Sequence, residues 1–144
     1  LRTYFEATHP SYAQNPDFIQ FINKHSWLEA YSLYKTFADE FNSNNWKSWP
    51  QDHQNPTDAH IKAWKHTHHK GMLFHKFCQF IATRQLHEVR EVADRADVRL
   101  KGDIPILISP YSSDVWHQRH YFHINEEVGS RPFSTPSRNR VSMY

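Results

Sequence analysis

The sequence predicts a mostly α-helical protein that contains one short β-strand. Two observations lead to this prediction. Apolar residues recur at helical spacing through most of residues 1–97, and helix-start signals precede several of these stretches. A single run rich in β-branched residues then follows. With 144 residues, the chain is long enough to bury one modest core.

The first two predicted helices lie between residues 15 and 41. Asn15-Pro16-Asp17 supplies an N-cap, a proline at the first helical position and an acid near the positive end of the helix dipole. Ser26 followed by Glu29 has the pattern of a capping box, which predicts a second helix beginning at Ser26. The polar stretch 42–45 ends that helix.

Two more helices are predicted after a polar, His-rich connection at residues 51–55. One lies near Thr57 to His68, and a long one runs from about Gly71 to Asp94. We expect the long helix to bury one stripe of residues, made of Phe74, Phe77, Cys78, Ile81, Gln85, Val89, Val92 and Ala96.

The run from Val98 to Ile108 predicts a fully buried strand of a parallel sheet. Pro105 argues against a long regular strand, so the ladder is expected to break near Asp103. In parallel barrels, functional side chains lie at the carboxyl ends of strands and in the loops that follow. That position makes four residues candidates for a site: Asp103, Ser113, Asp114 and Trp116.

These candidates combine carboxylates with an indole, which are groups that bind sugars. An indole offers a flat apolar face and an N–H donor, so Trp116 is either a sugar platform or a core anchor. Asp103 either binds a sugar hydroxyl or caps the loop after it. Ser113 and Asp114 either bind sugar or begin a short helix as its cap.

The other tryptophans favour packing over binding. Trp27 and Tyr31 lie at helical spacing, where an aromatic stripe is usually core, and we expect both to be buried. Trp46 and Trp49 lie in a loop, and packing is again the favoured role. Cys78 is expected to be a buried small hydrophobe.

Composition excludes several classes of function. A net charge of +2, with basic and acidic residues interspersed, is too mild to indicate nucleic-acid binding. No apolar run approaches the roughly 18 residues of a membrane span. One cysteine excludes an internal disulfide and suits a cytoplasmic protein.

The 12 histidines raise the question of a metal site. His66 and His69 are three residues apart, but no HExxH motif, cysteine partner or adjacent acid accompanies them. We therefore expect His60, His66, His68, His69 and His75 to lie on a solvated helix face, and no metal or cofactor is predicted.

Two sets of motifs carry a family resemblance. Leu100 to Ile106 and Ser113 to Trp116 resemble the "L-K-G-D-[IL]-P-I … S-x-D-x-W" signature of the 4-α-glucanotransferases, glycoside hydrolase family 77. An upstream set of residues resembles the family's "W-L-x-x-Y-A-x-F … W-x-x-W-P" block in the same order. Its members are Trp27-Leu28, Tyr31, Tyr34, Phe37, Trp46 and Trp49-Pro50.

The resemblance implies a fold larger than this chain. A (β/α)8 barrel of the TIM type takes about 250 residues, so we expect a fragment of such a barrel with its inserted helical subdomain. Residues 1–97 would form the helical subdomain and the helix before the barrel strand. Residues 98–129 would form the strand and its substrate-side loop, and residues 130–144 an irregular tail.

The resemblance also implies an activity, a partner and site residues. The enzyme would transfer α-1,4-glucan segments between maltooligosaccharides by a retaining double displacement. Asp103, Ser113, Asp114 and Trp116 would bind the glucan. The family's nucleophile motif, R-[IL]-D-H, does not occur here, so the catalytic acids are expected outside this sequence.

The tail departs from the family pattern. The Ser- and Pro-rich residues after about Arg131 replace an expected loop that lies over the glucan, which suggests a change of reading frame. Two other functions remain open: a catalytically inactive glucan-binding remnant and a helical interaction module. Maltodextrin binding and transfer activity distinguish the three.

Overall fold

The computed structural model describes residues 1–104, 107–124 and 141–142. The α-helices of this described part are α1 (Arg2–Tyr12), α2 (Pro16–Lys24), α3 (Leu28–Glu40), α4 (Gln51–Gln54), α5 (Asp58–Thr67), α6 (His69–Arg95) and α7 (Ser113–His117). Two single 3-10 turns cover Trp46–Ser48 and Arg119–Tyr121, and two short strands are β1 (Leu107–Ile108) and β2 (Val141–Ser142). The prediction of a mostly helical chain is confirmed.

Local capping explains where α2 and α5 begin. The Asn15 side chain accepts a hydrogen bond from the backbone N–H of Phe18, with Pro16 at the first helical position, as predicted. Thr57 caps α5 in the same way, through the N–H of His60. The predicted bounds of both helices agree with the structure to within a residue or two.

The predicted capping box at Ser26 is wrong. Helix α3 begins at Leu28, and its N-cap is Trp27, in helical conformation and without a side-chain cap hydrogen bond. Glu29 instead points to two lysines of other helices, Lys76 and Lys65. A charged partner binds a carboxylate more strongly than a backbone N–H does, so the tertiary contact replaces the local one.

Left-handed residues end the two longest helices. Asn42 (φ 48°) follows α3 and Asp97 (φ 54°) follows α6. The N–H of Val98 donates to the carbonyl of Ala93 at 2.9 Å, and the N–H of Asp97 donates to that of Asp94 at 3.3 Å. This is the Schellman pattern, in which asparagine and aspartate tolerate the left-handed conformation better than most residues.

The closest helix pair is α3 with α6. A Cβ built on Gly71 would lie 2.6 Å from Cγ2 of Thr36, so glycine is what permits this approach. The Thr36 hydroxyl is itself held by the carbonyl of Ser32 at 2.8 Å, which limits how far the side chain can move away.

Two apolar clusters form the core. One lies at the start of α6 against α1 and α2, and its buried members are Phe5, Phe18, Leu73, Phe77 and Phe80. The other joins α3 to the loops around Trp46 and to α7, and its buried members are Leu33, Tyr34, Phe37, Ala38, Trp46, Trp49, Met72, Val115 and Trp116. The predicted burial of Trp46 and Trp49 is confirmed.

The buried stripe predicted for the long helix is mostly wrong. Phe77 is fully buried, whereas Phe74, Cys78 and Ile81 are partly buried and Gln85, Val89, Val92 and Ala96 are exposed. Among the described elements, those that pack on α6 are α1, α2, α3 and α5. The buried side chains of α6 lie between Met72 and Phe80, with Ala93 as the later exception.

The predicted strand is much shorter than its pattern suggested. Of the described residues 98–104 and 107–108, only Leu107–Ile108 form a strand, and it pairs antiparallel with Val141–Ser142. Full burial is also wrong, since Val98 and Leu100 are exposed and Ile104 is 84% exposed. A fully buried strand inside a parallel sheet needs a neighbouring strand on each side, and the described residues supply one antiparallel neighbour. The break predicted at Pro105 lies outside the described residues.

We predict that Gly71→Ala destabilises the protein. Overpacking against Thr36 costs about 1–3 kcal/mol, while the better helix propensity of alanine returns about 1 kcal/mol. The expected net loss is about 1 kcal/mol in the free energy of unfolding, measured by urea titration. Gly102→Ala is the matched control, because a Cβ there meets no atom within 4 Å. Equal stability of the two variants would contradict this account of the helix contact.

We predict that His75 makes the protein less stable in mild acid. Burial lowers the pKa of His75, and this effect outweighs the carboxylate of Asp39, whose Oδ2 lies 3.2 Å from Nε2 and also binds Arg2. The unfolded state therefore binds the proton more readily, and stability falls as the pH drops through the ordinary histidine pKa of about 6.5.

The readout is the slope of unfolding free energy against pH, between about pH 7.5 and 5.5, for the wild type and His75→Gln. The variant should lose less stability over this range. Parallel slopes for the two proteins would contradict the prediction.

Candidate functional site

A turn and the short helix α7 form the segment that follows β1. The Ser112 side chain caps α7 by accepting from the N–H of Val115 at 3.2 Å. The predicted cap at Ser113 is therefore one residue late, and Ser113 is instead the first helical residue. Val115 and Trp116 are buried, while Asp114 is exposed on the other side of the helix.

Trp116 is a core anchor. Its side chain is 2% exposed, and its ring lies 5.9 Å from Tyr34 and 6.2 Å from Trp49, measured between centroids. Its indole N–H donates to the carbonyl of His53 at 2.8 Å. Both the flat face and the donor of this indole are thus already engaged, which favours the anchor over the sugar platform.

Three further side chains tie this segment to the helical layer. The Trp46 indole donates to the carbonyl of Pro110 at 2.8 Å. The Tyr34 hydroxyl lies within hydrogen-bonding distance of the carbonyls of Asn44 (2.7 Å) and Tyr111, and burial raises its pKa to about 12. Arg119 lies over the Trp46 ring, with its Cζ 4.1 Å from the centroid.

A cleft of about 680 Å³ opens beside α7, between it and helices α3 and α5. Its lining residues are Ser26, Trp27, Glu29, Ala30, Tyr31, Leu33, Ile61, Lys65, Ser113, Asp114, Trp116, His117 and Gln118. This volume falls within the range of small-molecule sites, about 300–1,000 Å³. Aromatic, hydroxyl, amide and carboxylate groups all contribute to the lining.

An ion cluster forms one end of the cleft. The Glu29 carboxylate lies 2.5 Å from the ammonium of Lys76 and 3.3 Å from that of Lys65. Burial alone would raise the pKa of Glu29, but the hydrogen bonds and charges of the two lysines outweigh it and lower that pKa. Glu29 therefore stays ionised and neutralised by its partners, and it is not a proton donor.

The structure brings together three of the four predicted site residues. Ser113, Asp114 and the edge of Trp116 line the cleft, and the Ser113 hydroxyl lies 3.4 Å from Oδ2 of Asp114. Asp103 is exposed in the irregular segment before β1 and is not among the lining residues. Whether these four residues bind a glucan stays a prediction.

The wall of the cleft opposite α7 contains Trp27 and Tyr31, which were not among the predicted site residues. Trp27 was expected in the core, but it is 50% exposed, and Tyr31 is only partly buried. The local sequence contained one signal of this exposure. Trp27 immediately precedes the first residue of α3, and helical side chains lean toward the preceding turn, so a residue at the start of a helix has no earlier turn to pack against.

Three of the five histidines expected on a solvated helix face lie there. His68 is instead partly buried, with Nε2 3.0 Å from Oε2 of Glu40. His60, His66 and His69 are exposed on helices, as predicted. His75 is buried, contrary to the prediction, because α6 presents it to Asp39 of α3. Among the described residues, no group of three His, Cys, Asp or Glu side chains could hold a metal ion. Cys78 is partly buried, and burial raises the pKa of its thiol.

Within the part of the chain that the structure describes, no helix has the length and apolar character needed to cross a membrane.

A cleft that combines exposed aromatic rings with hydroxyl, amide and carboxylate groups can contact a ligand that has both apolar and polar surfaces. Comparison with known proteins identifies the family. The family model for 4-alpha-glucanotransferase, glycoside hydrolase family 77, matches residues 1–135.

Several curated relatives carry the same name. The 4-alpha-glucanotransferase of Chlamydia muridarum is 35% identical over 137 residues, which cover 92% of this chain and 25% of the relative. That of Chlamydia trachomatis serovar D is 36% identical over 107 residues, covering 74% and 20%. That of Synechocystis sp. is 30% identical over 114 residues, covering 78% and 23%.

The chain therefore belongs to the 4-alpha-glucanotransferase family, glycoside hydrolase family 77. The resemblance seen in the sequence motifs is confirmed. The chain spans between a fifth and a quarter of the length of these relatives.

We predict that Trp116 contributes mainly to stability. Trp116→Ala should cost about 3–5 kcal/mol by leaving a cavity, and Trp116→Phe about 1 kcal/mol by losing the hydrogen bond to His53. Thermal or urea unfolding measures both. Trp27→Ala is the control on an exposed indole and should cost less than about 1 kcal/mol. If Trp116→Ala cost no more stability than Trp27→Ala, the anchor role would be wrong.

Proposed function

We propose that this chain is part of a 4-α-glucanotransferase that moves α-1,4-glucan segments from one maltooligosaccharide to another. The observation that carries the proposal is the family match over residues 1–135. In a retaining transfer, a carboxylate attacks the anomeric carbon and forms a glycosyl-enzyme while an acid protonates the leaving sugar oxygen. An acceptor hydroxyl then displaces the carboxylate and restores the configuration.

In this proposal the catalytic carboxyl groups lie on parts of the enzyme outside the present sequence. A retaining enzyme needs two such groups about 5–5.5 Å apart. The R-[IL]-D-H motif that carries the family's nucleophile does not occur among these 144 residues. The chain would then contribute substrate binding and support.

The proposed binding groups are the four residues named from the sequence. Asp103, Ser113 and Asp114 would hydrogen-bond glucan hydroxyls, since all three are polar and the two aspartates are exposed. Trp116 would act through its position, by holding α7 against the helical layer so that Ser113 and Asp114 face the cleft. This role is compatible with its burial.

The proposed architecture follows the family. Residues 1–97 would form the helical subdomain and residues 98–129 one strand and substrate-side loop of a (β/α)8 barrel. Residues 130–144 would form a tail with an altered reading frame, which is not wholly irregular because it contains β2. We place the enzyme in the cytoplasm and propose α-1,4-glucan as its partner, with no requirement for a cofactor, nucleic acid or membrane.

We predict that the isolated chain does not disproportionate maltotriose, because it lacks the carboxyl pair. Activity should appear when the chain replaces the aligned segment of the Chlamydia muridarum enzyme, to which it is 35% identical over 137 residues. Glucose release from maltotriose is the measurement. A hybrid that is folded by thermal unfolding but inactive would contradict the proposed function, as would glucose release by the isolated chain.

In the active hybrid, we predict that Asp103→Asn lowers kcat/KM by roughly 10- to 100-fold. Losing a charge-assisted hydrogen bond costs about 1.5–3 kcal/mol, which is about one to two orders of magnitude in rate. Asp97→Asn is the matched control, because asparagine also tolerates the left-handed conformation at that position. Equal activities of the two variants would remove Asp103 from the binding site.

A further inference from the structure

The cleft beside α7 has an aromatic wall formed by Trp27 and Tyr31, to which the sequence analysis assigned a packing role. Trp27 stays 50% exposed although His25 and Tyr31 both make edge-to-face contacts with it, at centroid distances of 6.3 and 5.6 Å. An indole ring held in place by two neighbours and still half exposed is a preformed apolar surface. It needs little ordering when a ligand arrives.

Tyr31 adds a fixed polar group to the same wall. Its hydroxyl accepts a hydrogen bond from the Gln79 amide at 2.9 Å. Since that oxygen acts as the acceptor, the hydroxyl hydrogen can be donated to a ligand. Gln79 of α6 thus holds the Tyr31 hydroxyl in place as a donor, and Tyr31 lies one helical turn after Trp27.

The opposite wall is polar and comes from α7. Asp114 is exposed, lies beside the Ser113 hydroxyl at 3.4 Å, and lines the cleft together with Gln118. A carboxylate binds two adjacent sugar hydroxyls well, because it accepts at two oxygens. One wall of the cleft therefore offers an apolar platform, and the opposite wall offers hydrogen-bond acceptors.

Charge within the cleft favours a neutral ligand. Glu29 with Lys76 and Lys65 leaves a net charge of +1 at the end of the cleft near α6, and Asp114 brings −1 on the α7 wall, so these groups are neutral overall. The remaining ionic group among the lining residues of α7 is Asp114, a hydrogen-bond acceptor. A sugar ring is uncharged and has an apolar face and a rim of hydroxyls. Its face can pack on the aromatic wall while its hydroxyls bind the polar wall.

We propose that this cleft is a glucosyl-binding subsite, in which Trp27 stacks against the ring, Tyr31 donates to it, and Asp114 accepts from its hydroxyls. The sugar class rests on the proposed function, whereas the platform rests on the geometry of Trp27. Trp116 contributes no stacking surface to this subsite. Its role there is to hold α7 at the correct distance.

The test is calorimetric titration of the 144-residue chain with maltoheptaose, which does not depend on the fluorescence of the residue being changed. Trp27→Ala should weaken binding about tenfold, because it removes stacking of about 0.5–1.5 kcal/mol together with the buried area. Asp114→Ala should weaken binding by a similar factor, since it removes charge-assisted hydrogen bonds.

Tyr121→Ala is the matched control. Tyr121 is an aromatic residue of comparable exposure, 60%, and it does not line the cleft. Its removal should leave the maltoheptaose dissociation constant unchanged, which separates the subsite from general stacking of sugar on exposed aromatics. Circular dichroism and the thermal midpoint confirm that each variant is folded.

Three results would overturn the subsite: no maltoheptaose binding by the wild-type chain, a folded Trp27→Ala variant with the wild-type dissociation constant, or equal losses in Trp27→Ala and Tyr121→Ala. The proposed function is tested apart from this, by transfer activity of the hybrid enzyme. An active hybrid whose KM is unaffected by Trp27→Ala refutes the subsite alone. Trp27-dependent binding by the chain with an inactive, folded hybrid refutes the proposed function alone.

Discussion

The placement of residues 110–116 depends on hydrogen bonds that buried aromatic side chains donate to backbone carbonyls. Trp46 reaches Pro110, Tyr34 reaches Tyr111 and Trp116 reaches His53, across sequence separations of 64, 77 and 63 residues. A buried donor without a partner costs about 1–3 kcal/mol. Hydrophobic burial is not directional, so the aromatic cluster alone would allow several arrangements. Tyr34 has one hydroxyl hydrogen for the carbonyls of Asn44 and Tyr111, so the two indole N–H groups select the arrangement, in which Ser113 and Asp114 line the cleft.

Helix α3 serves both the core and the cleft. Tyr34 and Phe37 belong to the buried cluster, while Trp27 and Tyr31 line the cleft. Trp27, Tyr31 and Tyr34 are four and three residues apart, so they lie along nearly one face of the helix. They differ in their position along the helix axis, because Trp49 and Trp116 contact Tyr34 whereas Trp27 and Tyr31 lie at the start of the helix. The same rigid helix can therefore hold an aromatic platform at its start and an aromatic core further along. Changes on its buried face should alter the cleft through the position of the whole helix, whereas changes to Trp27 should act locally.

The second half of α6 and the segment after it show why a correct pattern does not guarantee burial. Leu86, Val89 and Val92 form an apolar surface at helical spacing, and Val98 and Leu100 continue it, yet all five are more than half exposed. The hydrophobic periodicity of a sequence indicates which face of a helix or strand is apolar. Burial also requires a surface opposite that face, and the described residues provide one only for the first half of the helix. The chain spans about a quarter of its Chlamydia muridarum relative.

The sequence by itself determined the family and the helices α2, α5 and α6, because these depend on residues that are near one another in the chain, whereas α1 and α4 were not predicted. Asn15 capping α2 and Asn42 ending α3 act through atoms a few residues away, and the family motifs are contiguous. Tertiary structure alone decided which indole is buried and which is exposed. Trp27 and Trp116 have the same chemistry, and their roles differ because residues far away in the chain cover Trp116 and leave one side of Trp27 open. Contacts of that kind leave no local pattern in the sequence.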